Sequence, residues 1–350
     1  MEAYTRRDQI PSHISRSGAR GVTTTTVDVV IPAFNEGNCI EGVLHDVINA
    51  RQDAWFVIQN IYVISDASTD QTDGLVQRFS RGDQRIELIR KPERKGKQDS
   101  VNLAFTVSNA DILIFLDADI RLADEQSIAK LVRHFRDGKA ALVQGGLVRF
   151  FVDFTPSPAK QAAYFDWIVV DKIRRKKPIS WWSIDGRVMA LSRDFYRQLV
   201  LPLSLADDQF IFYSCIAQNR KFTLANDAIF YYGPPESIAD FSHQWSRYFF
   251  YTNKSCQYFG KGFIRKDMTV PARWRTIMLS LLCHPFCGLM WVLCYGISKA
   301  EFILGFEFHR YERGFFWTKS RPLQIHITGV DGIKAFRKSK AKGVRVTKGG

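Results

Sequence analysis

From Thr26 onward the chain alternates between short apolar runs and segments whose apolar residues recur every three or four positions. Residues 27–33 are apolar apart from Asp28 and predict a strand, after which Ile40, Val43, Leu44, Val47 and Ile48 follow at helical spacing. The same order returns at 58–65 then 71–79, at 86–89 then 98–107, and at 112–116 then 127–135. Four such alternations predict an α/β fold with a doubly wound, mostly parallel sheet flanked by helices. Ligands of such sheets bind beyond the carboxyl ends of the strands. The loops at 32–37, 66–73, 91–97 and 117–121 are therefore where chemistry is expected.

Beyond about residue 148 the alternation loosens into an aromatic helix near 159–173, a Trp181-Trp182 pair and a helix opened by Asp207. Residues 276–298 contain no Asp, Glu, Lys or Arg, although His284, Pro285 and Gly288 interrupt them. The stretch is long enough to cross a hydrocarbon core of about 30 Å. Arg273 and Arg275 precede it and Lys299 follows it, so charge asymmetry gives little orientation. A bilayer span, an interfacial or re-entrant segment leading into the amphipathic residues 302–317, and a buried core helix pair all satisfy this pattern. The expected organisation is a flexible polar tail over 1–25, a globular unit over 26–258 with halves 26–147 and 148–258, a membrane-associated helical region over 259–322, and a basic tail over 323–350.

With 350 residues the chain can bury a large core without staples. The six cysteines are scattered without paired spacing, and the first residues lack the charged, apolar, small-residue order of a signal peptide, so a reducing, cytosol-facing protein is expected. The formal charge of +14 asks for a negative partner: nucleic acid, a phosphorylated substrate or an anionic membrane surface. Cations cluster at 85–97, at 172–177, on both sides of the apolar stretch and at 334–348, and aromatic residues accompany several of these groups.

Asp117-Ala118-Asp119 follows the apolar run at 112–116. Alternate residues of an extended segment face one way, so two carboxylates at a strand's carboxyl end can hold a hard divalent cation such as Mg²⁺ or Mn²⁺. Glu36 and Asp66 follow adjacent predicted strands, where they either accept hydrogen bonds from a base or ribose or cap the helices that come next. Lys97, beside Gly96, is either a phosphate contact or part of a basic surface. Asp207-Asp208 places two like charges at a helix start, which raises at least one pKa, or else serves as a plain cap. Trp181 and Trp182 form an acceptor platform, fill a core or mark a membrane boundary. The seven histidines show no HxxxH or HxH spacing, and GxSxG and GxxxxGK[ST] are both missing, so zinc, triad-hydrolase and P-loop chemistry lack their signals.

The order Val30-Ile-Pro-Ala-Phe-Asn-Glu36, Ser65-Asp-Ala-Ser-Thr-Asp70, Arg94-Lys-Gly-Lys97 and Asp117-Ala-Asp119 resembles the donor half of the family 2 glycosyltransferases, which have the glycosyltransferase A fold. The resemblance covers about residues 27–232. It implies an inverting, metal-dependent transfer from a UDP- or GDP-sugar to a lipid-linked or saccharide acceptor, at a membrane and with the catalytic domain facing the cytoplasm. It further implies that Pro32, Phe34, Glu36 and Asp66 border the base and ribose, that Lys97 lies near the phosphates, and that Asp117 and Asp119 carry the metal and ribose contacts. Position by position, Asp208 matches the catalytic base and Asp207 its acidic neighbour, although Glu is more usual in the family before the Asp. Gln244-Trp-Ser-Arg-Tyr248 resembles the Gln-x-x-Arg-Trp element of membrane-embedded, polymer-forming members, with Tyr248 where Trp is usual. Arg247 would then pair with the diphosphate, while Gln244, Tyr248 and Trp182 would line the acceptor side. The expected partners are a nucleotide sugar, such an acceptor and an anionic membrane surface, with no nucleic acid. Two other functions stay open: a sugar-nucleotide nucleotidyltransferase, though 32–37 is not a Gly-rich phosphate loop, and a non-enzymatic basic protein binding membrane or nucleic acid.

Overall fold

In the computed structural model, residues 24–149, 157–270 and 273–304 are described. The expected tails, apart from residues 24 and 25, and most of 302–317 lie outside the described residues. Among the described residues eight strands form one sheet: β1 (Thr25–Ala33), β2 (Phe56–Ser65), β3 (Ile86–Arg90), β4 (Ile112–Leu116), β5 (Arg121–Leu122), β6 (Ala140–Arg149), β7 (Val188–Ser192) and β8 (Lys221–Tyr232). Their order is β3-β2-β1-β4-β7-β6-β8-β5. The first four are mutually parallel, as the alternation predicts; β7 enters antiparallel beside β4, and β6 runs antiparallel to β7 but parallel to β8.

The eleven described helices are α1 (Ile40–Ile48), α2 (Thr72–Gly82), α3 (Lys97–Val107), α4 (Ser127–Val132), α5 (Pro158–Lys176), α6 (Arg193–Tyr196), α7 (Asp207–Ala217), α8 (Ile238–Phe259), α9 (Lys261–Met268), α10 (Arg273–Cys283) and α11 (Pro285–Ile303). Strand side chains alternate between two cores. Val27, Val29, Ile31, Ile112, Ile114 and Leu116 face the apolar stripes of α1 and α4, whereas Val30, Leu113 and Phe115 face α3, α6 and α7. The result is a sheet between two helical layers, and burying both faces explains why β4 is apolar at every position.

The boundary expected at residue 147 falls inside β6. The apolar stretch at 276–298 is two helices, because Pro285 lacks an N–H and its ring restricts His284, which sits at φ −137° and ψ 62°. Among the described residues, only α11 is long and apolar enough to cross a membrane by length and composition. It packs on α5 and α8 and is joined to them through Phe165, Trp291, Phe241 and Cys294.

Candidate active site

The loops after β1 and β2 are tied into one body before any chemistry is placed on them. Asn35 adopts φ 56°, its side chain accepts from the Thr69 N–H at 2.8 Å, and its own N–H donates to Ser68 Oγ at 3.1 Å. Glu36 N–H donates to Thr72 Oγ1 at 2.8 Å and Gly37 N–H to Asp70 Oδ2 at 3.0 Å. Neither Glu36 nor Asp66 caps a helix: the caps of α1 and α2 are Cys39 and Gln71.

Asp66 is fully buried and works on the next loop. Its oxygens accept from the Lys95 and Gly96 N–H groups, each at 2.8 Å, and pair with Lys91 Nζ at 2.6 Å, while Lys91 also pairs with Asp99 at 2.9 Å. This network fixes the turn at Gly96, where φ is 90°, and thereby aims Lys97 from the first residue of α3. Lys97 Nζ reaches Asp117 Oδ1 at 2.6 Å, Asp207 Oδ2 at 3.2 Å and the Gly186 carbonyl at 3.1 Å. Burial opposes its charge, yet Asp117 and Asp207 outweigh burial and hold the ammonium above the usual lysine range.

The carboxyl end of β4 therefore meets the first turn of α7 across one ammonium. Asp117, Asp119, Lys97, Asp207, Asp208, Glu36, Arg247 and Tyr248 all line one cavity, together with Gln98, Asp185, Gly186, Arg187 and Tyr251. Asp207 and Asp208 are the first two residues of α7 behind Ala206, which makes no side-chain cap. Burial and the charges of Asp207 and Asp185 push the Asp208 carboxyl up to about 7. Burial likewise raises Asp117 to about 6, against the pull of Lys97. Asp185 behaves oppositely: burial alone would raise it, but Arg187 and Arg174 hold it below the usual carboxylate range. Arg187 grips it with contacts of 2.9 and 3.0 Å and lies 4.3 Å from the Tyr232 ring centre. Neighbouring carboxylates are thus poised differently in one wall, an ionised anchor beside a group that exchanges its proton near neutrality.

A second cavity adjoins the first and shares Asp185, Asp208 and Tyr248 with it. Its walls include Trp167, Trp181, Trp182, Tyr232 and Trp245, with Asp166 and Arg174 from α5. Trp182 is held in place by its Nε1, which donates to the Met268 carbonyl at 3.1 Å, and by Arg273 stacked 4.5 Å from its ring centre.

Four residues singled out in the sequence line neither cavity. Pro32 is buried in β1 opposite Ile64; Phe34 lies half-buried with the Arg94 guanidinium 3.8 Å over its ring; Asp66 serves the loop described above; Gln244 sits on α8 one turn before Tyr248. Conversely, Gln98, Arg187 and Tyr251 reach the main cavity without having been foreseen. Tyr251 carried a signal, since it stands four residues after Arg247 on the same face of α8 and accepts from Gln98 Nε2 at 3.3 Å. Gly186 sets the closeness of this assembly: a Cβ there would lie 3.3 Å from Asp207 Oδ2, 3.4 Å from Asp208 Cβ and 3.5 Å from Lys97 Nζ. Gly186→Ala is expected to leave the melting temperature unchanged while lowering turnover about tenfold, because the carboxylates must shift by a few tenths of an ångström. Unchanged turnover would show that their spacing has slack.

Known proteins are similar to this chain in sequence and in fold. A glycosyltransferase of Haloferax volcanii is 28% identical over 129 residues, 35% of this chain and 20% of that protein, so the chain spans a fifth of that relative's length. An N-acetylglucosaminyltransferase of Rhizobium leguminosarum bv. trifolii is 28% identical over 124 residues, 35% of this chain and 67% of that one. Among solved structures, a mannosyltransferase from Pyrobaculum calidifontis, in complex with GDP-Man and Mn²⁺, superposes with a TM-score of 0.54 at 17% identity, covering 85% of this chain and 84% of that one. The likeness in fold extends past the sheet into the C-terminal helices. The family model described as glycosyl transferase family 2 matches residues 28–200, which hold β1 from Asp28 onward, β2 to β7 and the whole Asp117-Ala-Asp119 corner, and through them the chain belongs to glycosyl transferase family 2.

Proposed function

We propose that the chain transfers a sugar, with inversion at the anomeric carbon, from a UDP- or GDP-sugar to a hydroxyl of a saccharide or lipid-linked acceptor, at the cytoplasmic face of a membrane. The observation that supports this most is the meeting of Lys97, Asp117, Asp119, Asp207 and Asp208 in one cavity that joins an aromatic cavity at Asp208. A donor in the first and an acceptor in the second would face each other across that carboxylate. Aromatic rings suit the apolar faces of a sugar, and Tyr248 and Trp181, with ring centres 6.1 Å apart, flank the junction.

Asp208 would accept the acceptor's hydroxyl proton while the oxygen forms its bond to the anomeric carbon. The bond from that carbon to the β-phosphate oxygen breaks, and its electron pair leaves with the nucleoside diphosphate. Lys97 and Arg247 would offset the departing charge. The donor set also fits a hard cation: Asp117 and Asp119 offer carboxylate oxygens, and among the described residues no three His, Cys, Asp or Glu side chains form a metal site by themselves. These two would hold Mg²⁺ or Mn²⁺ and leave its other positions to donor oxygens and water. When bound, the cation supplies charge compensation for the diphosphate.

The test is a thermal-shift panel of nucleotide sugars with and without Mn²⁺ or Mg²⁺, followed by turnover assays. One nucleotide sugar should stabilise the protein by about 2.7 kcal/mol at roughly 100 times its Kd, and only with metal present. If no nucleotide sugar shifts the transition or turns over, the proposal fails.

A further inference from the structure

We infer that α9, α10 and α11 form a monotopic docking surface, lying in one leaflet of an anionic bilayer rather than crossing it. This deepens the membrane part of the proposal above by naming the surface and its depth, and it stands on observations separate from the reacting groups. The large outward apolar residues of α10 are Trp274, Met278, Leu279 and Leu282, with Trp274 74% and Leu282 77% exposed. On α11 an exposed stripe runs through Phe286, Leu289, Val292, Leu293, Ile297 and Ile303. The spacing is helical and the stripe is apolar, an arrangement that soluble surfaces rarely show at this extent.

The opposite face of α11 is seated on the catalytic domain along its length. Gly288, Cys294 and Ser298 are buried. A Cβ on Gly288 would lie 2.2 Å from Leu281 Cδ2 and 3.1 Å from Phe165 Cε2, so the helix approaches α10 and α5 as closely as a glycine permits. Trp291 Nε1 donates to Asp166 on α5 at 3.3 Å, and Trp291 stacks on Tyr295, which meets Trp245 of α8. Were α11 to span a bilayer in this packing, α5 would enter the hydrocarbon too, carrying Asp166, Asp171, Lys172, Arg174, Arg175 and Lys176. The cost of burying such charges excludes that placement. An in-plane helix, apolar side down, leaves α5 in water.

Charge selects the occupant. Lys261, Arg265 and Lys266 are exposed on α9, Arg275 on α10 and Lys299 on α11, and the two acids of these helices are engaged, Asp267 by Lys177 and the Trp181 N–H and Glu301 by the Ser242 hydroxyl. Cations beside an apolar face match anionic phospholipid headgroups, each worth about 1 kcal/mol near the surface.

The full chain, floated on vesicles of phosphatidylcholine alone and of phosphatidylcholine mixed with phosphatidylglycerol, should bind the anionic vesicles at least tenfold better and be released by alkaline carbonate. Leu282→Glu with Leu289→Glu should reduce vesicle binding at least tenfold while the circular dichroism, melting temperature and donor-induced thermal shift stay as in the parent. Retention through carbonate would overturn the inference in favour of a span. Undiminished binding of the double variant would overturn it in favour of attachment through other basic segments. Because the readout is flotation, it fails or succeeds independently of any sugar transfer.

Discussion

Asp208→Asn is expected to lower kcat by about 10²–10⁴-fold while leaving the affinity for the nucleotide sugar within about twofold. The asparagine keeps the size of the side chain and its place at the start of α7, but it cannot take a proton from an acceptor hydroxyl. Burial and two neighbouring carboxylates hold Asp208 at about 7, so in the parent enzyme kcat/KM should fall tenfold per pH unit below about 7, where the base becomes protonated. The variant's residual activity should lose that limb. The same raised pKa means that ionising Asp208 opposes folding: the stability it withholds is absent below its unfolded pKa and is felt as pH rises toward the folded value. The variant should therefore melt slightly higher than the parent at pH 8. A matched loss of donor affinity and kcat, or a pH profile that survives the substitution, would reassign the base.

Lys97→Met should act on stability and chemistry together. The ammonium is the counter-ion of both Asp117 and Asp207, at 2.6 and 3.2 Å. Removing one partner of a buried ion cluster leaves uncompensated charge, which costs 3–5 kcal/mol in full burial and about 2 kcal/mol at the partial exposure found here. The free variant should melt several degrees below the parent at pH 7.5. Lower pH should narrow the gap, because Asp117 can then neutralise itself by taking up a proton. Transfer should fall by about 10²-fold or more, since a cation aimed at the departing phosphates is lost. Added Mn²⁺ should recover part of the melting temperature, because a divalent cation can occupy the carboxylate corner that the ammonium vacates. A variant with parental stability and donor affinity would show that Lys97 belongs to a surface cluster instead.

The N-terminal half of the architecture was legible because its elements are local. Each strand from β1 to β4 is a mainly apolar run, broken by Asp28 in β1, Gln59 and Asn60 in β2 and Glu87 in β3, each is followed by a stripe at helical spacing, and the observed ends differ from the expected ones by a few residues. The strands β6, β7 and β8 escaped this treatment. β7 is a five-residue run between a Trp-rich turn and a short helix, and it becomes a central strand only by inserting between β4 and β6, a pairing that joins residues 112–116 to 188–192. No periodicity within such a short segment records a partner so distant in sequence. The carboxylates of the corner were visible for the opposite reason, since a strand end and a helix start announce themselves locally. The positioning work of Asp66 was invisible: that its two oxygens would close on the amides of Lys95 and Gly96 depends on a turn formed 29 and 30 residues later. Likewise Pro285 announced a break, but which side of the resulting helix would face the domain was settled by Gly288 and its neighbours.

Helix α5 presents Asp166, Trp167, Val170 and Arg174 to the aromatic cavity, while Lys172 and Lys176 on its other side bond Ser280 and Thr276 of α10 at 2.9 and 2.7 Å. One helix thickness, about 8–10 Å, therefore separates the place where an acceptor would react from the segment that would rest among the lipids. That spacing would act as a ruler: a hydroxyl borne close to the headgroups would reach Asp208 without leaving its membrane, whereas one carried at the tip of a long stalk would overshoot it.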